Sequence, residues 1–77
     1  MATEIKMPQW GMTLTEGTVM KWLKKAGDHV DKGEAICEVE EAKVTDTVDA
    51  SVDGTLTEIL VEEGTTVPVM TAICTIE

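Results

Sequence analysis

Apolar and polar residues alternate in short runs along this chain, and only Val19 to Lys25 offers a spacing that a helix could also use. Thr3 to Met7, Gly17 to Leu23, Glu34 to Glu40, Val44 to Ala50, Gly54 to Val61 and Thr71 to Ile76 are rich in Val, Ile, Thr and Trp. Six short strands are therefore expected. The punctuation between them is local: Ala26-Gly27-Asp28, Asp31-Lys32-Gly33, Asp53-Gly54 and Glu63-Gly64 suit positive φ or side-chain-closed turns. Pro8 and Pro68 belong at strand ends or edges, where no ladder N–H is needed.

The pattern occurs twice. Residues 16 to 40 align with residues 53 to 77 without a gap, and identities fall at Gly17/Gly54, Leu23/Leu60, Gly27/Gly64, Val30/Val67, Ile36/Ile73 and Cys37/Cys74. Turn glycines and apolar strand positions repeat together, so each half presents an apolar face that it cannot cover alone. Two such faces cover each other, which predicts an all-β flattened barrel, two antiparallel sheets packed face to face about an approximate twofold axis. Extending the same offset backwards pairs Lys6 with Lys43, and the link between Glu40 and Val44 is expected to be a tight hairpin turn.

Composition narrows the function. Seventy-seven residues form one domain that buries only roughly 60% of its unfolded surface. With Trp10 and Trp22 the only aromatic residues, no large ligand cavity is expected. A net charge of −9, from fifteen acidic residues against six lysines, opposes phosphate backbones and anionic membranes, so no nucleic acid and no membrane is expected as a partner. A basic docking surface on another protein would be attracted. No run approaches a membrane span and residues 1–4 do not resemble a signal peptide, so the expected location is cytoplasmic, or the mitochondrial matrix in a eukaryote.

The candidate chemistry is sparse. Cys37 and Cys74 are expected as small buried strand residues; a symmetric disulfide or a two-ligand metal site has no CxxC spacing or nearby His to support it. His29 reads as a surface turn residue, Asp28 and Asp31 as turn closers, Trp22 as core, and Met7, Met12, Met20 and Met70 as gap fillers. Trp10 reads as a partly exposed loop residue that could shield or recognise something. No acid, base and nucleophile set points to an enzyme. Lys43, the only basic residue after Lys32, would project its amine into water among Glu38, Glu40, Glu41, Asp46 and Asp49. On chemistry alone it is a solvated lysine on an acidic hairpin, favoured in its ammonium form.

Met7-Pro8-Gln9-Trp10-Gly11, Glu16-Gly17-Thr18, Gly27-Asp28-His29-Val30, Lys32-Gly33-Glu34-Ala35-Ile36, Gly54-Thr55-Leu56 and Val67-Pro68-Val69 together resemble the lipoyl domain of 2-oxo acid dehydrogenase acyltransferases over essentially the whole chain. The resemblance implies two four-stranded antiparallel sheets, with lipoic acid joined to Lys43 by an amide bond in a tight turn opposite the termini. It further implies a swinging-arm carrier for an acyl group, served by a lipoyl ligase. The partners it implies are a thiamine-diphosphate-dependent decarboxylase, an acyltransferase core and a dihydrolipoyl dehydrogenase. Glu41, Ala42 and Val44 would flank the lysine as recognition residues, and the loop from Pro8 to Thr15 would bring Trp10 near the turn. The domain, residues 1–77, is expected to be monomeric and cut from a longer acyltransferase chain.

The usual Asp-Lys-Ala turn of that family is here Ala42-Lys43-Val44, with Glu41 where Thr is common. Biotinyl domains of carboxylases share the fold but place Met on both sides of their lysine, and the glycine-cleavage carrier protein lacks the Met-Pro-x-x-Gly start. An unmodified barrel-sandwich module used for protein interaction is the alternative from a different class.

Overall fold

All six expected strands form within one or two residues of their expected bounds in a computed structural model that describes residues 2–77. Met1, the first residue of the expected domain, lies outside the described residues. These strands are β1 (Thr3–Lys6), β2 (Glu16–Trp22), β4 (Ala35–Glu41), β5 (Val44–Asp49), β6 (Gly54–Ile59) and β8 (Ala72–Ile76). Two further strands, β3 (His29–Val30) and β7 (Thr66–Pro68), are too short to carry a two-residue period. His29 therefore sits in a strand, yet it is exposed as expected, with Nε2 2.9 Å from Asp31 Oδ1. Asp28 closes its turn by accepting from the Lys25 N–H, whereas the Asp31 carboxylate is turned to His29. No helix forms among the described residues, which settles Val19 to Lys25 as strand and turn.

The strands make two four-stranded antiparallel sheets, in the orders β1-β8-β6-β3 and β5-β4-β2-β7. The halves are interlaced rather than set face to face: β3 pairs with β6 of the second half, and β7 pairs with β2 of the first. Matched hydrogen bonds join the halves. Gly27 N–H donates to Leu56 O and Leu56 N–H to Asp28 O, and Gly64 N–H donates to Val19 O as Val19 N–H does to Thr65 O. Gly27 and Gly64 reach these positions with φ of 98° and 85°, a region that glycine enters without penalty. Pro68 closes the edge strand β7, where its missing N–H is harmless.

The irregularities repeat as well. Register shifts in both β4 and β8 at Ile36 and Ile73, because Ala35 and Cys37 oppose Asp49 and Val48 while Ala72 and Cys74 oppose Lys6 and Ile5. Each bulge turns two successive residues inward, so Ile36-Cys37 and Ile73-Cys74 are all fully buried. This register also corrects the backward extension of the repeat. Ile5 stands to Cys74 as Val48 stands to Cys37, so β1 is the counterpart of β5, and Lys6 the counterpart of Asp49 rather than of Lys43.

The core lies between the sheets and is aliphatic: Ile5, Val19, Val30, Ile36, Val39, Leu56, Ile73 and Ile76 are its centre, with Met7 fully buried among them. Met12, Met20 and Met70 are exposed and fill no gap, and the repeated Leu23 and Leu60 are exposed too. Trp22 packs on the flank of the core, where its indole N–H donates to Val61 O at 2.9 Å. No helix of the described residues is long and apolar enough to cross a membrane.

Cys37 and Cys74 are buried free thiols, not a disulfide. Burial pushes the Cys37 thiol up from 9.0 to about 12, with the nearby Cys74 adding to the shift, and pushes Cys74 up to about 11. Unfolded, both would ionise near 9.0, so the folded state binds more protons above that pH. Stability should thus be fully present below pH 9 and fall from pH 9 to about 11 for Cys74 and to about 12 for Cys37, by up to about 1.4 kcal/mol per pH unit for each thiol. Urea midpoints at pH 8, 9 and 10 measure it, and a Cys37→Ala, Cys74→Ala chain should lose most of that slope.

Candidate functional site

Glu41 opposes Val44 at the end of the β4–β5 ladder, so only Ala42 and Lys43 remain to turn the chain. Both take positive φ, 47° and 70°, as the central pair of a type I′ hairpin turn must. This hand of turn matches the twist of the strands, and it is usually built from Asn-Gly or Asp-Gly. Ala42 has neither the freedom of glycine nor a polar side chain to close on its backbone, so the tip carries strain of roughly 1–2 kcal/mol per residue. An Ala42→Asn variant should be more stable by about 0.5–1 kcal/mol, read as a rise in Tm on thermal unfolding.

Ala42, Lys43 and Val44 are all exposed, and Lys43 makes no ion pair among the described residues. The acidic ring expected around it is only partly present. Asp46 and Asp49 are exposed on β5, and Glu38 and Glu40 are half-buried on β4. Glu41 is not part of the ring at all. It is 1% exposed, because β4 alternates inward through Cys37, Val39 and Glu41. That alternation was available in the sequence and would have placed it inside.

The loop between β1 and β2 lies beside this hairpin. Trp10 is 37% exposed, and its backbone N–H donates to Glu41 Oε1 at 3.4 Å. Two of the expected site residues are thereby brought together, although Glu41 reaches Trp10 from beneath the turn and not as a flanking surface residue. Room for the Glu41 side chain comes from Gly17 in β2, where an added Cβ would sit 3.0 Å from Glu41 Cγ and 2.6 Å from Met7 Sδ. The described residues contain no cluster of His, Cys, Asp or Glu able to hold a metal ion.

The structure thus sets an exposed lysine, without an ion pair among the described residues, at the left-handed tip of a hairpin on a two-sheet β fold. Residues 3–76 match the model of the biotin/lipoyl family described as "Biotin-requiring enzyme". The chain belongs to this biotinyl/lipoyl attachment domain family.

Within the family its likeness is to lipoyl members. It is 48% identical over 73 residues, 95% of its length, to the dihydrolipoyllysine-residue succinyltransferase component of the 2-oxoglutarate dehydrogenase complex of Staphylococcus saprophyticus, of which it spans 17%. It is 45% identical over 74 residues, 96% of its length, to the dihydrolipoyllysine-residue acetyltransferase component of the acetoin cleaving system of Bacillus subtilis, of which it spans 19%. The chain thus spans under a fifth of these curated relatives. The solved lipoyl domain of the 2-oxoglutarate dehydrogenase complex from Azotobacter vinelandii matches with a TM-score of 0.79 and 35% identity, over 96% of this chain and 94% of that one.

Proposed function

We propose that this domain is a lipoyl carrier of a 2-oxo acid dehydrogenase complex, with lipoic acid attached through an amide bond to Lys43. The observation that carries the reading is the placement of that lysine, alone and exposed at the tip of a two-residue turn, in a chain whose relatives include acyltransferase components of the 2-oxoglutarate dehydrogenase complex and of an acetoin cleaving system. The donor fits the group: a free primary amine is the nucleophile an activated carboxylate needs, and nothing in the described residues engages it.

Attached to Lys43, the group would supply a redox-active dithiolane for acyl transfer among a thiamine-dependent decarboxylase, an acyltransferase and a dihydrolipoyl dehydrogenase. The chain's own residues present and identify it. Ala42 and Val44 leave the lysine stem unobstructed, and the rigid ladder of β4 and β5 fixes where the arm begins. Tethering raises the arm's effective concentration at each partner. Trp10, exposed on the adjacent loop, and the net charge of −9 are what a partner surface would read. The domain itself performs no turnover in this reading.

Biotin is the rival cofactor. Ala42 and Val44 stand where biotinyl domains carry methionine, which favours lipoate. Incubation with ATP and an equimolar mixture of lipoate and biotin, with a lipoyl ligase and a biotin ligase present, is read by intact mass. A single lipoyl adduct supports the carrier reading; a biotin adduct, or none, overturns it.

A further inference from the structure

The loop that carries Trp10 is fastened at its two ends and at one point between. At the ends, Met7 N–H donates to Thr71 O and Met70 N–H to Met7 O, both at 2.8 Å, and Val69 N–H donates to Thr15 O at 3.0 Å. Within the loop, Leu14 N–H donates to Gly11 O and Gln9 Nε2 to Leu14 O, bonds that shape the loop without attaching it to anything. Among the described residues, the only hydrogen bond from residues 8–14 to the rest of the fold is the one from Trp10 N–H to Glu41 Oε1.

Glu41 is an unusual residue for that task. Its carboxyl is buried, its Oε2 has no hydrogen-bond partner, and the position faces the core alongside Val39 and Cys37. A buried acceptor left without a donor loses its hydrogen bonds to water with nothing in return, which destabilises the folded state. An apolar side chain of the same length would avoid that cost and suit the strand alternation better. Gly17 deepens the observation, since its missing Cβ opens the space into which the Glu41 side chain folds, 3.1 Å from Oε2. The fold therefore accommodates a carboxyl group that stability alone would not select.

Resting on the reading of Lys43 as the attachment site, we propose that Glu41 is a positioning residue that holds the loop from Pro8 to Thr15, and Trp10 with it, against the lysine hairpin. The turn and the loop then form one surface of fixed shape, and a partner that reads Trp10 reads it at a set distance from the arm. Glu41 is the last residue of β4, two before Lys43 in the turn, so the bond couples the loop directly to the base of the turn. It acts from below and touches neither arm nor partner.

The test uses the unmodified domain, so its outcome does not depend on whether Lys43 is lipoylated. Glu41→Met keeps the length of the side chain and removes the acceptor; Glu41→Gln keeps an acceptor oxygen. Amide hydrogen exchange at Trp10 and Tm are measured for both. The expected result is that Glu41→Met speeds Trp10 exchange at least tenfold while Tm stays level or rises, and that Glu41→Gln holds Trp10 exchange within threefold of the parent. A residue that serves only the core would move the two readouts together. The proposal is overturned if Glu41→Met leaves Trp10 exchange within twofold of the parent. A fall in Tm alongside faster exchange in Glu41→Met, or a loss of protection in Glu41→Gln equal to that in Glu41→Met, overturns it equally.

Discussion

A Lys43→Arg variant incubated with lipoate, ATP and a lipoyl ligase should gain no mass, while the parent chain gains a single lipoyl group. The guanidinium stays protonated at every accessible pH and offers no amine to acylate, yet it preserves the charge and much of the stem. Arginine adopts the φ of 70° at this position no less readily than lysine, so the hairpin and the circular dichroism spectrum should be unchanged. The other five lysines should not substitute for it. Lys6 and Lys21 lie within strands, Lys24 pairs with Glu34 at 3.1 Å, and Lys25 and Lys32 sit in connections that are not two-residue hairpins. Any adduct that persists in Lys43→Arg would assign the attachment elsewhere and remove the functional reading.

The second large effect is expected in the packing beneath the hairpin. Gly17→Val should destabilise the domain by about 3 kcal/mol, from overpacking a filled core. A Cβ there would lie 2.6 Å from Met7 Sδ and 3.0 Å from Glu41 Cγ, and both side chains are buried with nowhere to retreat. At 0.05–0.15 kcal/mol per residue, a chain of this length has about 4–12 kcal/mol of stability in all. The Tm should fall by roughly 12–24 °C. Gly27→Ala provides the contrast, because nothing lies within 4 Å of its added Cβ and only its φ of 98° is strained. A thermal melt in which Gly27→Ala is the more damaging of the two would refute the packing account.

Much of this fold is legible in the alternation of its residues and the placement of its turns, because a strand of four to seven residues repeats its two-residue period often enough to be read. β3 and β7 escape that reading because two or three residues contain no period, and only their pairing with β6 and β2 makes them strands. The bulges at Ile36 and Ile73 are written in the sequence as adjacent apolar residues, but their register exists only once the partner strand is placed. Leu23 and Leu60 mislead in the opposite direction: they are identical across the repeat and their N–H groups make matched bonds to Ile36 O and Ile73 O, yet both side chains are exposed.

At the site, the lone lysine and its turn are evident from position alone. The left-handed tip is not, because Ala-Lys carries none of the residue chemistry that normally signals it. Glu41 is the instructive failure. Its charge suggests the surface, whereas its place in the β4 alternation assigns it inward, and the backbone period prevails over side-chain character.

The equivalence of β1 with β5, and of β8 with β4, makes the order of the strands cyclic. Thr3 opposes Ile76 as Asp46 opposes Val39, so the gap between the first and last strands occupies the place that Ala42 and Lys43 bridge in the other sheet. The lysine thus sits on a seam. Opening the chain there and joining β8 to β1 would retain every ladder of both sheets.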